Sequence, residues 1–184
     1  MNSQIQGEGD QKFIPALSEH ALRKLGSASP RAKVLLDKVA PDVVASRPAG
    51  LGLPGDNTQS NYYPGPMQLT KDEIFTVTKA LEARSIEHEN TRVRKTLVSD
   101  KTIFEVLQAS VEADSTTFED VVDGRSVTIC IKRGDHSVSL AKLCECLEMA
   151  SEFAANELQR SVLREYVRSF RTGSLEAYRV SQKQ

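Results

Sequence analysis

Apolar residues in the last third of the chain recur every three or four positions, the spacing that places side chains on one face of an α-helix. Two successive stripes follow Asp135: Leu140, Leu143, Cys144, Leu147, Ala150 and Ala154, and then Leu158, Val162, Leu163, Tyr166, Val167 and Phe170. They mark two faces of a helical region that we predict after Asp135. Gly173 is placed to end this region, because glycine readily adopts the left-handed conformation that closes many helices. A further helix is predicted to begin at Ser174, and we expect it to be incomplete at Gln184.

Two shorter helices are predicted in the first quarter of the chain. Ser18 suits the N-cap of the first helix, and Gly26 is expected to end it. Pro30 suits the first position of the second helix, where its missing N–H is not needed. Pro41 is expected to end or kink this second helix, because an internal proline removes a helical hydrogen bond.

A capping-box pattern predicts the next helix. Thr70 and Glu73 stand three residues apart, so each side chain can accept a hydrogen bond from the other residue's backbone N–H. We expect this helix to reach about Arg84. The preceding stretch, Ser46–Leu69, holds four of the seven prolines and four glycines, which predicts a functional surface loop or part of a larger assembly. Asn61–Tyr63 is its one possible short strand.

Three stretches between the helical regions are predicted as strands: 92–98, 102–111 and 126–132. The third is the clearest, because Val127, Ile129 and Ile131 alternate with polar residues. Asp123-Gly124, just before it, is a tight-turn signal. Helices and strands together predict an α+β fold, with a small, mostly antiparallel sheet and helices packed around it.

Composition narrows the class of protein. The 184 residues include 24 basic and 25 acidic side chains, so no whole-chain field attracts nucleic acid or an acidic membrane. No stretch reaches the roughly 18–20 apolar residues of a membrane-spanning helix. The first ten residues contain no Lys, no Arg and no apolar run, which argues against a secretory signal. Three cysteines, an odd number, suit a reducing compartment. The sequence predicts a soluble, cytoplasmic chain.

Residues able to bind a metal are few and poorly spaced. Cys144 and Cys146 would point to different sides of a helix, so one apolar-face thiol and one separate thiol are expected rather than a shared metal. His88-Glu89 resembles the start of a zinc-peptidase helix, but Arg92 and Val93 occupy the positions of the second histidine. We therefore expect no metal or cofactor site within this chain.

Two charged motifs have plain structural explanations. Arg133-Gly134-Asp135 spells an adhesion tripeptide, but we expect a turn in which glycine supplies the bend and Asp135 or Ser137 caps the next helix. A small basic cluster is formed by Arg92, Arg94 and Lys95, of which the first two share a strand face. We expect this cluster to be solvated or ion-paired, because nucleic-acid sites carry more basic residues with interleaved aromatic ones.

Several short strings, in order and at similar spacing, resemble the dipeptidyl peptidase III family of zinc exopeptidases. They are Gly9-Asp10-Gln11-Lys12-Phe13-Ile14-Pro15, Glu89-Asn90-Thr91-Arg92, Phe104-Glu105-Val106 with Ala109-Ser110-Val111, Arg133-Gly134-Asp135, Phe153-Ala154-Ala155-Asn156, and Tyr166, Ser169-Phe170, Thr172-Gly173-Ser174 and Glu176-Ala177. The resemblance covers nearly the whole chain but only about a quarter of a typical family member.

The resemblance implies a partial enzyme. Family members have two lobes around a wide cleft, and this segment resembles the part of the lower lobe that supplies strands of a small β-barrel and the helices against it. It implies a partial lower-lobe domain at 13–184, truncated at its C-terminus; residues 1–12, which are polar and contain two glycines, are predicted to be a flexible segment. The family's zinc motif, His-Glu-x-x-Gly-His, is absent from the 184 residues. Gly9 is the one expected substrate-binding residue, and Glu8 stands where the family has an aromatic residue.

The resemblance also implies a function. The full-length family removes dipeptides from the N-termini of peptides by zinc-assisted hydrolysis, so peptides and the remainder of the enzyme are the expected partners. This chain alone is expected to be inactive. Two alternatives stay open: a non-catalytic module that holds extended peptides at a sheet edge, and an incomplete product that folds poorly and exposes its apolar helix faces.

Overall fold

The computed structural model describes residues 15–44, 49–50, 59–122 and 124–183. They divide into two compact units, Met1–Tyr62 and Tyr63–Gln184, to which the following paragraphs apply separately. The predicted α+β class is confirmed: the described residues form six helices and a four-stranded mixed sheet. None of the described helices has the length and apolar character needed to cross a membrane. Residues 1–12, including Gly9, lie outside the described part.

The first unit contains two packed helices, α1 (Glu19–Gly26) and α2 (Pro30–Val44). Ser18 caps α1 as predicted, because its hydroxyl accepts a hydrogen bond from the N–H of Ala21 at 3.1 Å. Pro30 begins α2, also as predicted. Two residue pairs, β1 (Ala49–Gly50) and β2 (Gln59–Ser60), form a short parallel ladder. The strand predicted at Asn61–Tyr63 is wrong, since the chain turns directly after Ser60.

Pro41 does not end α2, which continues through it to Val44. A proline at this position removes the N–H that would bond the carbonyl of Asp37, four residues earlier. Arg23 of α1 compensates: its Nη1 lies 3.5 Å from that carbonyl and 2.7 Å from the Asp37 carboxylate. The carbonyl of Asp37 therefore has a donor from the neighbouring helix. The sequence pattern of α2 alone does not show this contact.

The second unit begins with α3 (Lys71–Glu82), and its predicted capping box is confirmed. The N–H of Glu73 donates to Thr70 Oγ1 at 3.1 Å, and the N–H of Thr70 donates to Glu73 Oε2 at 2.9 Å. The face of α3 that carries Ile74, Val77 and Leu81 is buried.

Four strands follow α3: β3 (Thr91–Val98), β4 (Lys101–Ala109), β5 (Ser115–Val122) and β6 (Arg125–Asp135). Their order in the sheet is β3-β4-β6-β5; β4 and β6 run parallel and the other two pairs are antiparallel. Three of these strands were predicted. The fourth, β5, was missed because its sequence is largely polar: Asp120 lies on its less exposed side between Phe118 and Val122, so apolar and polar residues do not alternate.

One face of the sheet is apolar and packs under α3. The strand register places Lys95, Phe104, Ile129 and Phe118 in one row on this face. At one end of the row Lys95 Nζ lies 2.5 Å from a carboxylate oxygen of Glu73, in the first turn of α3. At the other end the Arg84 guanidinium lies 4.3 Å from the Phe118 ring centroid. The helix therefore spans the row and covers the core residues between its ends.

The prediction of a turn at Arg133-Gly134-Asp135 is wrong, because these residues are the last three of β6. Gly134 has φ +100 and forms a bulge, where the register shifts from Gln108 against Arg133 to Ala109 against Asp135. Asp135 and Ser137 do not cap the next helix either. The N-cap is His136, at φ +58 and with no side-chain capping bond, while Asp135 is held by Arg92 across the sheet.

The chain ends in three helices: α4 (Ser137–Glu152), α5 (Glu157–Thr172) and α6 (Leu175–Gln182). The predicted helical region after Asp135 and its stop at Gly173 are confirmed, and residues 153–156 divide the region into α4 and α5; Gly173 adopts φ +75. Backbone bonds join the end of α5 to the sheet, since the N–H groups of Val111 and Glu112 donate to the carbonyls of Phe170 and Arg171 at 3.1 and 3.0 Å.

The hairpin between β3 and β4 offers a test of local strain. Its two turn residues, Ser99 and Asp100, have φ values of +49 and +63, a conformation that Asn-Gly adopts far more easily. We expect the double variant Ser99→Asn/Asp100→Gly to raise the free energy of unfolding by about 1 kcal/mol. Urea unfolding followed by circular dichroism measures this; an unchanged or lower midpoint would contradict the assigned turn.

Candidate functional site

The sheet face opposite α3 carries charged side chains. We call Arg92, Arg94, Glu105, Cys130 and Lys132 the polar face, because the register places all five on the side of the sheet opposite Phe104 and Ile129. Arg94, Glu105 and Cys130 lie directly opposite one another on β3, β4 and β6. Alternation along each strand therefore brings charges together that are far apart in the sequence.

Glu105 lies at the centre of the polar face, with only 10% of its side chain exposed. Arg94 Nε donates to its Oε2 at 2.6 Å, and Lys132 Nζ donates to its Oε1. Each oxygen of the carboxylate thus has its own cation, one from each neighbouring strand. Both cations remain partly exposed. Together, Arg94, Lys132 and Glu105 carry one net positive charge, which can attract an anionic group such as a carboxylate.

These contacts determine the protonation of Glu105. Burial alone would raise its pKa, but the hydrogen bonds and charges of Lys132 and Arg94 outweigh burial, so the pKa of Glu105 lies below its ordinary value. The carboxylate therefore stays ionised throughout the neutral and mildly acidic range. A permanently charged group suits binding or structural support better than proton transfer at neutral pH.

A second ion pair closes one end of the polar face. Arg92 donates from Nε and Nη2 to the two carboxylate oxygens of Asp135, at 2.7 and 2.6 Å. The predicted ion pairing of the basic cluster is confirmed, because Arg92, Arg94 and Lys95 all contact carboxylates. The prediction that Arg92 and Arg94 share a face is also confirmed, whereas Lys95 lies on the opposite, α3-covered face.

The metal-binding side chains of the described residues do not fit a zinc site. Across residues 15–44, 49–50, 59–122 and 124–183, no three His, Cys, Asp or Glu side chains form a group that could hold a metal ion. His20 is exposed on α1, His88 lies in the connection between α3 and β3, and His136 precedes α4. Arg92, four residues after His88, is held in the bidentate pair with Asp135.

The two helical cysteines differ as predicted: Cys144 is buried and Cys146 is exposed. Cys144 Sγ lies 3.8 Å from the carbonyl of Val167, and burial raises the pKa of this thiol. We expect Cys146 to react with iodoacetamide much faster near neutral pH, because the thiolate is the reactive form. Peptide mass spectrometry over a time course measures both rates, and equal rates in the folded chain would contradict the packing of α4 on α5.

The two outer strands of the sheet are β3 and β5. Within the described residues, β3 pairs with β4 alone and β5 with β6 alone. Residues 115–117 and 119 of β5 are exposed, and this strand is largely polar. An open strand can pair with an extended peptide through main-chain hydrogen bonds.

Sequence reasoning missed Glu105 and Lys132 as partners. The signal available was a glutamate inside an otherwise apolar strand, Phe104-Glu105-Val106-Leu107, because a buried acid requires a cation. The identity of that cation depends on the parallel pairing of β4 with β6, which the sequence does not state. Gly9, the one expected substrate contact, lies outside the described residues.

Comparisons with known proteins show that this chain is related to peptidases. A family model described as Peptidase family M49 matches residues 35–184, and the chain therefore belongs to this peptidase family. It is similar to the dipeptidyl peptidase 3 proteins of Dictyostelium discoideum (32% identical over 95% of this chain), Mus musculus (30% over 93%) and Homo sapiens (28% over 93%). In each case the chain spans about a quarter (25%) of the relative's length.

Proposed function

We propose that this chain is a structural and peptide-contacting part of a dipeptidyl peptidase, inactive by itself. One observation carries the proposal: the family match extends over residues 35–184, while the chain spans only 25% of its relatives. The full-length family is expected to remove dipeptides from peptide N-termini with the help of zinc. The zinc-binding string of that family does not occur in this sequence, so the catalytic groups belong to another part of the enzyme.

Within such an enzyme, the described sheet would act as a rigid lower-lobe scaffold. The ion pairs of Glu105 and Asp135 connect β3, β4 and β6 across the polar face. Side chains fixed by such networks hold their positions better than side chains on loops. The cationic excess of the polar face would favour the carboxylate end of a peptide. We place the protein in the cytoplasm, in keeping with its three free cysteines.

A hydrolysis assay tests the proposed inactivity. The purified chain is incubated with zinc and a dipeptidyl arylamide, and dye release is followed against a heat-treated control. We expect no difference between the two samples. Turnover above the control that a chelator abolishes would contradict the proposal, because the chain would then carry its own catalytic site.

A second candidate is a non-catalytic module that binds extended peptides along β3 or β5, each of which pairs with one strand among the described residues. Fluorescence anisotropy with a labelled short peptide separates this candidate from an inert scaffold. A peptide of the same sequence with alternate backbone nitrogens methylated provides the control, because it cannot complete the main-chain ladder. Binding of the first peptide but not the second supports edge recognition, and equal signals exclude it.

A further inference from the structure

Helix α4 carries apolar residues on two opposite sides, together with seven serine or charged residues. Its inner side faces α5: Cys144 contacts the Val167 carbonyl, and Leu147 lines a small cleft with Leu163 and Val167. The opposite side carries four exposed residues, which we call the outer α4 face: Val138, Cys146, Met149 and Phe153. Phe153 directly follows the helix.

Large apolar side chains on the outer α4 face are strongly exposed: 72% for Val138, 58% for Met149 and 86% for Phe153. Met149 lies in the last turn of α4, and Phe153 directly follows the helix. Val138 lies three turns earlier on the same side. Single exposed apolar residues are ordinary, whereas three of them on one side of a helix form a patch of the kind found at contact surfaces.

The neighbouring α5 differs in this respect. Its outward positions carry charged residues that form ion pairs, such as Glu157 with Arg160 and Arg164. On α4 three charged residues, Lys142, Glu145 and Glu152, lie between or beside the residues of the outer face. The two helices therefore present different surfaces: α5 has a side with ion-paired charges, and α4 has a side with three strongly exposed apolar residues.

The area of the outer α4 face indicates which kind of partner could cover it. A stable interface between free proteins buries about 800 Å² on each partner. Four side chains along one helix supply only a few hundred Å², since even a buried aromatic residue contributes roughly 150–250 Å². A second copy of the chain would therefore bind too weakly. A surface within the same polypeptide needs less area, because the effective concentration is on the order of millimolar.

We propose that the outer α4 face packs against an apolar surface in the part of the peptidase that lies outside this chain. This inference rests on the proposed function. The relatives are about four times as long as the chain, which leaves most of the enzyme available as the occupant. The contact fixes α4, and through α5 the connection that leads to Val111 and the sheet.

A chimera provides the test. In it, this chain replaces the matching quarter of the Dictyostelium dipeptidyl peptidase 3. The variant Met149→Lys/Phe153→Asp places charges on the outer α4 face. Phe75→Asp is the matched control, because Phe75 is a 56%-exposed phenylalanine whose helix neighbours Asp72 and Lys79 are also exposed. The same three sequences are made as isolated 184-residue chains.

We expect the charged double variant to shorten the half-life of arylamide hydrolysis by the heated chimera about tenfold or more, because buried apolar surface is replaced by charge. The control should stay within about twofold of the parent chimera. In the isolated chain, the double variant should leave the thermal midpoint within about 2 °C, since the face is already exposed there.

Other outcomes would contradict the inference, and they can be told apart. If the parent chimera is active and the double variant behaves like the control, the outer α4 face is not a contact. The proposed function is then unaffected. A folded but inactive parent chimera overturns the proposed function itself. If sedimentation shows that the isolated chain dimerises and the double variant is monomeric, the occupant is a second copy and the inference is wrong.

A second measurement needs no variant. Cys146 lies on the outer α4 face and is exposed. Its alkylation rate, read from its own peptide by mass spectrometry, should fall at least about tenfold in the chimera relative to the isolated chain. An unchanged rate in an active chimera would contradict the proposed contact.

Discussion

Replacing Gly134 by alanine is expected to lower the free energy of unfolding by about 3 kcal/mol, the largest effect that we predict for a single methyl group in this chain. Gly134 has φ +100, where any side chain is strained by about 1–2 kcal/mol. A Cβ atom would also lie 2.8 Å from Cβ of Ala113, too close for an ordinary contact. Overpacking of this kind adds about 1–3 kcal/mol.

The neighbouring segment cannot easily move aside to relieve the contact. Residues on both sides of Ala113 are held: the N–H of Glu112 donates to the Arg171 carbonyl at 3.0 Å, and the Asp114 carbonyl accepts from the N–H of Arg133 at 2.9 Å. Arg133 also pairs with the carboxylates of Glu112 and Asp114. The strain must therefore be absorbed by β6 itself.

Gly124→Ala is the matched control for Gly134→Ala. Gly124 also has a positive φ, +77, but a Cβ atom there would meet nothing within 4 Å. We expect it to lose only the conformational part, about 1 kcal/mol. Urea unfolding of the two variants and the parent gives the difference directly. Equal losses would show that the approach of Ala113 to the bulge is not rigid.

Replacing Glu105 by glutamine is expected to destabilise the chain by about 2 kcal/mol. The substitution leaves Arg94 and Lys132 without their shared carboxylate. Losing one member of a buried pair has a cost of about 3–5 kcal/mol, and partial exposure of both cations reduces it here. Glu119→Gln, on exposed β5, is the control and should change stability by less than about 0.5 kcal/mol.

The stability of this pair should depend on pH in a defined direction. Because the pKa of Glu105 is lowered in the folded chain, its contribution is fully present above the ordinary value of 4.5 and disappears as the pH falls through the lowered pKa. The Glu105→Gln variant should therefore lose less stability than the parent on acidification. Urea midpoints measured from neutral pH downward test this, and parallel curves would contradict the assigned ion pairs.

Local features of the fold were predictable from the sequence. The capping box at Thr70, the cap at Ser18 and the stop at Gly173 depend on residues within a few positions of one another, and all three are confirmed. Apolar and polar residues alternate along β6 because one side of this strand faces the core under α3 and the other side belongs to the polar face. Each of these signals is complete within one short segment of chain.

Features that depend on distant partners were not predictable. Gly134 looked like the centre of a turn, but pairing with β4 makes it a bulge in a strand. Pro41 stays inside a helix, and Arg23 of the neighbouring helix lies near the carbonyl of Asp37 that the proline leaves without its helical donor. The polar face assembles only when β4 and β6 align in parallel. A sequence read along one segment carries no information on these alignments.

The central claim, that this chain is a working part of a dipeptidyl peptidase, is tested most directly by the arylamide turnover of the Dictyostelium chimera beside that of the chain alone. We expect the chimera to release dye with a rate that depends on its metal, and the isolated chain to match its heat-treated control. A folded chimera without turnover, or an isolated chain that releases dye by itself, would contradict the account.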